Sequence, residues 1–381
     1  MCAKAERAMK TRTTASTLLL ALLCVPSAAQ ANMGSPLVLA GGLHLTLGNL
    51  VIGIVEGLIL AKLFGLNKLR AMGWLTLANY LSAGAGVALA VFVVPRLSLN
   101  LYNAWGIFWA MVAFTYLLTL VIELPFVALA LRGTADWFRK SVRGSLIIQT
   151  ITYVLLFGWY WLVSSTSLYT KNHVAAWSAM SLPKGVLVYF ISARDGDVYC
   201  RTLAGLKETK VFNLNSHDND DRLFVRPSTA SNSKRWDLVA RLETDNYNKH
   251  NFVVVRKSFA SEAAPTWQDE GRDPKYYGRN STWLNVGRVP KLGSAKHSPW
   301  EFRSGYWALE GLTGTQKKTD KKVGLSFDTP LLAWRVFNAT HLPTDQVLFQ
   351  LGDDQVCVFD PDTKQIALVT RGRGPIAVMK E

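Results

Sequence analysis

The stretch GNLVIGIVEGLILAKLF, Gly48 to Phe64, decides how this chain reads. It is apolar over the length of a helix, and Glu56 sits inside it. The segment from about Leu37 to Ala61 reaches the roughly 20 apolar residues that crossing a bilayer requires. An acidic side chain at the centre of such a span costs roughly 2.5–3.5 kcal/mol on insertion scales. The Glu56 carboxyl therefore needs partners inside the membrane, and the rest of the chain has to supply them.

Three more apolar segments follow, from about Met72 to Val94, Asn103 to Leu131 and Gly144 to Ser165. Each is long enough to span. Direction follows from basic residues in the short loops. Lys62, Lys68 and Arg70 follow the first span, and Arg132, Arg139, Lys140 and Arg143 follow the third. The loop after the second span carries only Arg96. Basic loops stay in the cytoplasm, so the second loop and both mature ends are expected outside. Tyr102, Trp105 and Trp109, and then Trp159, Tyr160 and Trp161, fit aromatic belts at the outer interface.

Counting inward from those basic loops places Glu56, Asn79, Glu123 and Gln149 at a similar depth, roughly 9–14 Å inside the boundary at about 1.5 Å rise per residue. Each span thus offers one strongly polar side chain to a common layer, with Thr76, Ser82, Thr119, Thr150 and Thr152 nearby. On the first span His44, Gly48, Asn49, Gly53, Glu56 and Gly57 recur every three or four residues, so they share one face. The small residues Gly53 and Gly57, with Ser82 and Gly86 on the second span, permit close backbone approach. The polar stripe is therefore expected to face the bundle. Three roles fit it: hydrogen bonds that fix helix register, proton or cation carriage by Glu56 and Glu123, or contact with lipid or a partner helix.

Residues 1–31 have a basic start (Lys4, Arg7, Lys10, Arg12), a short apolar core and an Ala29-Gln30-Ala31 end. They read as a secretory signal peptide, whose removal puts the mature N-terminus outside. This leaves a four-helix transmembrane domain at 32–166, a linker at 167–184 and an exported domain at 185–381. The exported portion is all-β by pattern, with short apolar runs such as VLVYFIS, DVYCRTL, QVLFQL and QVCVFD. YWALEGL (306–312) reads as another strand, and Thr370-Arg-Gly-Arg-Gly-Pro375 as a basic turn. A weak internal repeat relates VLVYFIS…DVYC…KVFNL to VLFQL…DQVC…QIALVT. Repeated three-strand meanders suggest a propeller-like or β-sandwich domain. Cys200 and Cys357 lie on the exported side, where a disulfide between them can persist.

The net charge of +15 first suggests nucleic acid. It divides as about +3, +5 and +7 over residues 1–31, 32–166 and 167–381. The first two portions carry export and topology signals, and the third is a mild excess over a large surface. No nucleic-acid-binding motif supports the alternative. The histidines show no metal-ligand spacing, and there is no phosphate loop or nucleophile motif, so no metal, cofactor or enzymatic role is expected. Ser216 to Asp221 (SHDNDD) reads as a solvated acidic turn. Trp267, Arg272, Tyr276, Tyr277, Arg279 and Trp300 interleave aromatics with arginine, as surfaces for proteins or anionic polymers do. The expectation is a multi-pass membrane protein in contact with the lipid bilayer. Its extracytoplasmic domain, periplasmic if the host has two membranes, is expected to bind an envelope ligand or partner protein.

Overall fold

A computed structural model describes residues 36–228, 235–242, 251–264 and 287–381. The expected signal peptide, and Trp267, Arg272, Tyr276, Tyr277 and Arg279, lie outside the described residues. By contacts the chain divides into a helical unit, residues 36–96 and 112–164, and a β unit, residues 97–111 and 165–381.

Four helices are long and apolar enough to span a membrane, which makes this a multi-pass membrane protein by length and composition. They are α1 (Pro36–Phe64), α2 (Lys68–Phe92), α3 (Ala104–Leu131) and α4 (Trp137–Val163). Helix α1 contains a π-helical turn at His44–Gly48. Beside it Thr46 Oγ1 donates to Gly42 O at 2.8 Å and Asn49 Nδ2 to Leu45 O at 3.2 Å. Such back-bonding to carbonyls four residues earlier loosens helical geometry. Helix α1 ends at Gly65 in the left-handed conformation (φ 68°), and Asn67 caps α2 by accepting from Arg70 N at 3.2 Å.

Close packing of α1 on α2 is carried by two glycines. A Cβ on Gly53 would lie 2.4 Å from Thr76 Cα, and one on Gly57 would lie 2.5 Å from Met72 Cα. Gly86, by contrast, has open space where its Cβ would be. Gly48 meets only residues of its own helix, Leu43 and His44. The small-residue pattern on α2 is therefore not a packing motif at Gly86. Gly144 on α4 is one instead, with Leu60 Cδ1 2.8 Å and Phe64 Cε2 3.1 Å from its would-be Cβ.

In the β unit a four-residue helix, α5 (Ser167–Thr170), is followed by β1 (His173–Val174), β2 (Val186–Ser192), β3 (Val198–Thr202) and β4 (Glu208–Phe212). Next come β5 (Arg222–Pro227), β6 (Trp236–Leu242), β7 (Asn251–Ala260), β8 (Gly287–Arg288), β9 (Trp300–Ser304), β10 (Leu312–Gln316) and β11 (Lys321–Leu325). The last are β12 (Phe327–Asp328), β13 (Ala333–Trp334), β14 (Val336–His341), β15 (Val347–Leu351), β16 (Gln355–Asp360) and β17 (Gln365–Met379). The main sheet is antiparallel, ordered β14-β15-β16-β17-β2-β3-β4, with β1 added parallel to β17. It is curled into a half-barrel.

The curl has a local cause. The first half of β17, Gln365–Arg371, pairs with β16, and the second half, Gly372–Met379, pairs with β2. A bulge between Arg373 and Ile376 marks the corner. Gly374 has φ 54° there, and a Cβ on Gly372 would lie 2.5 Å from the Phe190 ring. The TRGRGP segment is thus the bent centre of a strand and not a turn. The sequence repeat also takes on a different meaning. Its two copies, β2-β3-β4 and β15-β16-β17, join through the β17–β2 pair into one sheet and do not form separate blades. One sheet face is filled by Val186, Val188, Phe190, Val356, Val358 and Ala367. The other is covered by the β5-β6-β7 sheet through Leu223, Val225, Leu238 and Ala240 against Ile191, Val198 and Ile376. Burial on both faces explains the near-continuous apolar runs of these strands.

YWALEGL is not a strand until Leu312. The Glu310 carboxylate accepts from Tyr306 N at 2.8 Å, which holds the backbone in a turn, and Gly311 takes φ 51°. The 167–184 segment is no loose linker. Leu168 N donates to Ser326 O at 3.0 Å, and His173 N to Lys364 O at 2.9 Å.

Cys200 on β3 and Cys357 on β16 are free thiols. Cys357 faces Leu368 in the first half of β17, whereas Cys200 faces Tyr189, which faces Ile376 in the second half, so three ladders and a stretch of β17 separate them, and a disulfide needs Cα atoms about 4.4–6.8 Å apart. The expected disulfide is therefore excluded by topology. Cys357 is fully buried, and burial pushes its thiol up from its ordinary value. Thiol titration should accordingly find both cysteines reactive after denaturation and Cys357 silent before it. A reductant should leave the unfolding midpoint unmoved.

Candidate functional site

The four polar residues expected in one membrane layer do meet. Asn79 Nδ2 on α2 donates to Glu56 Oε2 at 2.6 Å, and Thr152 Oγ1 on α4 donates to Glu56 Oε1 at 2.5 Å. Ser82 Oγ on α2 donates to Glu123 Oε1 at 2.6 Å, and Gln149 Nε2 on α4 donates to Glu123 Oε2. Glu56 is 1% exposed and Glu123 0%.

The arrangement is a double clamp with a simple rule. The carboxyls come from α1 and α3, and the donors come from α2 and α4. Each carboxyl receives one amide N–H and one hydroxyl, one from each donor helix. Asn79 and Ser82 are three residues apart, as are Gln149 and Thr152, so each donor helix shows both groups on one face. That spacing was the available signal for the roles of Ser82 and Thr152. No lysine or arginine occurs within residues 36–61, 71–95, 104–131 or 144–163, so all four partners are neutral donors.

The amide of Asn79 is oriented by a second bond. Its Nδ2 also donates to Leu75 O at 2.9 Å, a carbonyl that can only accept. The other polar residues of α1 stand apart from the clamp. His44 Nδ1 pairs with Tyr160 OH at 2.7 Å, and Asn49 donates within its own helix. Further along the bundle, Thr119 pairs with Tyr153 OH and Tyr116 OH with Thr150, each at 3.0 Å.

The β unit holds the remaining candidates. Trp300 is 0% exposed and stacks on Phe302 at 5.6 Å, so it is core and leaves the expected ligand surface. Asn338, which begins an Asn-Ala-Thr sequon, is buried and cannot receive a glycan in the folded chain. The SHDNDD segment is not a free acidic turn either. Ser216 Oγ donates to Asp221 Oδ2 at 2.6 Å, while Arg373 donates to Ser216 Oγ at 2.8 Å and to Asn219 Oδ1 at 3.2 Å. Arg222 donates to Asp221 O at 2.8 Å and lies 5.0 Å above the Phe337 ring. Burial lowers its guanidinium to about 10. Two arginines thus fill the space that a cation would need, and they pin this loop to the corner of β17.

The β unit also takes in residues 97–111, the loop between α2 and α3 and the first turns of α3. Leu101 is fully buried there, and its N–H donates to Gln355 Oε1 at 2.7 Å. Tyr169 OH donates to Leu101 O at 2.9 Å, Arg371 Nη1 donates to Leu99 O at 3.1 Å, and Trp105 stacks on Tyr169 at 5.3 Å.

No protein-family model, curated protein or solved structure matches this chain.

Proposed function

We propose that this chain is a membrane-anchored binding protein without catalytic activity, whose extracytoplasmic β domain engages an envelope partner, a protein or an anionic polymer. The observation that carries the reading is the capture of residues 97–111 by the β unit. Gln355, Tyr169 and Arg371 bond to the backbone of Leu99 and Leu101, so the β unit folds around the loop that joins two of the apolar helices. Such a fold suits a domain whose role is to present a surface. The basic loops at 62–70 and 132–143 support an outward orientation for the β domain. The excess of basic over acidic residues in 167–381 supports an anionic or acidic partner.

In this reading the double clamp fixes the register of four helices. Cross-linking and capture of the full chain from a mild detergent extract tests it. Glu56→Gln and Glu123→Gln should capture the same partner in the same yield as the parent. Deleting 185–381 should abolish capture. Full function from the helical half alone, or capture lost in the Gln variants at normal folding, would sink the binding reading. A reporter fused at the C-terminus tests orientation, and cytoplasmic signal would overturn it.

A further inference from the structure

The two halves of the double clamp are not equivalent, and the difference is chemical. An amide N–H can only donate, so the carboxyl oxygen it faces must remain an acceptor. That fixes Glu56 Oε2 as an unprotonated oxygen, because Leu75 O orients the Asn79 amide, and the Gln149 amide donates to Glu123 Oε2. A hydroxyl can donate to a carboxylate or accept from a carboxylic acid. The oxygens that face hydroxyls, both Oε1, are therefore the atoms able to take a proton.

Only one of the two hydroxyls is placed against two acceptors. Ser82 Oγ is 2.6 Å from Glu123 Oε1 and 3.1 Å from Asn79 O, a backbone carbonyl of its own helix. Its single hydrogen can serve one of them at a time. With Glu123 ionised, the hydrogen points at Oε1. With Glu123 neutral, the Oε1 hydrogen donates to Ser82 Oγ and the serine hydrogen turns to Asn79 O. Both states keep every group bonded without moving a heavy atom, as a site that exchanges a proton requires.

We propose that Glu123 binds an exchangeable proton on Oε1, with Ser82 as its reversible partner. The other ionisable groups acting on Glu123 are Glu56, the second carboxyl of the clamp, and the phenol of Tyr153. Glu56 is the fixed member, held by an amide that Leu75 O orients. The proposal does not rest on the binding reading, and partner capture is not its readout.

Infrared difference spectroscopy of the full chain in vesicles of mixed phosphatidylcholine and phosphatidylglycerol, titrated over about pH 4 to pH 9, tests it. A neutral-carboxyl band should grow in on acidification, vanish in Glu123→Gln, persist in Glu56→Gln and shift in frequency in Glu123→Asp. Ser82→Ala should move its midpoint more than tenfold in proton concentration, and Ser82→Thr should restore it. A band that is absent, is the same at every pH, or maps to Glu56 overturns the proposal. So does wild-type titration in Ser82→Ala. Glu123→Asp and the serine variants keep the test open if Glu123→Gln does not fold.

Discussion

Gly57→Ala is expected to destabilise the helical bundle by about 3 kcal/mol, roughly a hundredfold in the folded-to-unfolded ratio. The added Cβ would lie 2.5 Å from Met72 Cα, 2.6 Å from Met72 N and 2.9 Å from Ala71 C. All three are backbone atoms, so no rotamer change can relieve the contact, and α1 and α2 must separate. Separation also works against the Asn79–Glu56 bond, because Glu56 is the neighbour of Gly57 and Asn79 lies seven residues beyond Met72 on the facing helix. A carboxyl that loses a donor in hydrocarbon has no water to replace it. Gly53→Ala should act in the same direction, since its Cβ would meet Thr76 Cα at 2.4 Å. Gly86→Ala serves as the control: its Cβ enters open space, and alanine is the better helix former. The measurement is unfolding in mixed micelles on titration with a denaturing detergent. Equal midpoints for Gly57→Ala and Gly86→Ala would contradict the close approach of the two helices.

The second large effect is in the β unit, where two buried groups make its stability depend on pH in opposite senses. Asp328 is 2% exposed, its Oδ2 has no partner among the described residues, and burial raises it to about 6 against the nearby Arg335 charge. A carboxyl raised in the folded state binds its proton more tightly there than when unfolded. Its contribution is full below the unfolded value near 4 and is lost as pH rises through about 6. His341 is 0% exposed, packs edge-on against Phe302 at 4.8 Å, and is pushed down to about 4 by burial, with Asp345 opposing. Its contribution is full above the unfolded value of about 6.5 and is lost as pH falls through about 4.

Each shift amounts to about 3 kcal/mol at 1.36 kcal/mol per pH unit, and the two windows nearly coincide. The parent chain should therefore show little net change in β-unit stability between about pH 4 and pH 6.5 from this pair. Asp328→Asn removes one arm, so stability should then rise with pH across that window. His341→Gln removes the other, so stability should fall. Urea unfolding followed by tryptophan fluorescence at several pH values reads both. Parallel pH profiles for the parent and the two variants would show that neither group titrates as its surroundings dictate.

Much of the membrane half was legible because the bilayer leaves few choices. A span must be long and apolar, its backbone must bond internally, and any strongly polar side chain in it must find a partner. Those rules placed four helices and put Glu56, Asn79, Glu123 and Gln149 in one layer from residue counts alone. The pairing was not legible, because depth along a helix says nothing of which neighbour it faces. That Glu56 pairs with Asn79 and Thr152, and Glu123 with Ser82 and Gln149, was set by the order of helices around the bundle. Packing likewise decided that Gly57 is irreplaceable and Gly86 is not, since both satisfy the same small-residue pattern.

In the β half, alternation and turn residues located most strands, as period-two burial allows. They misjudged the segment 370–375, where glycine and proline mark a bent strand and not its end. They also left the sheet order open. Cys200 and Cys357 stand at matching points of the repeat, and only the β17–β2 pairing shows that three ladders separate them. By itself, then, the sequence determined which segments form long apolar helices, where most strands fall and which polar side chains share a level along those helices, because these follow from local hydrophobic period and length. Tertiary structure alone decided the partners of each carboxyl, the separation of the cysteines and the core position of Trp300, because those depend on which distant segments the fold brings side by side.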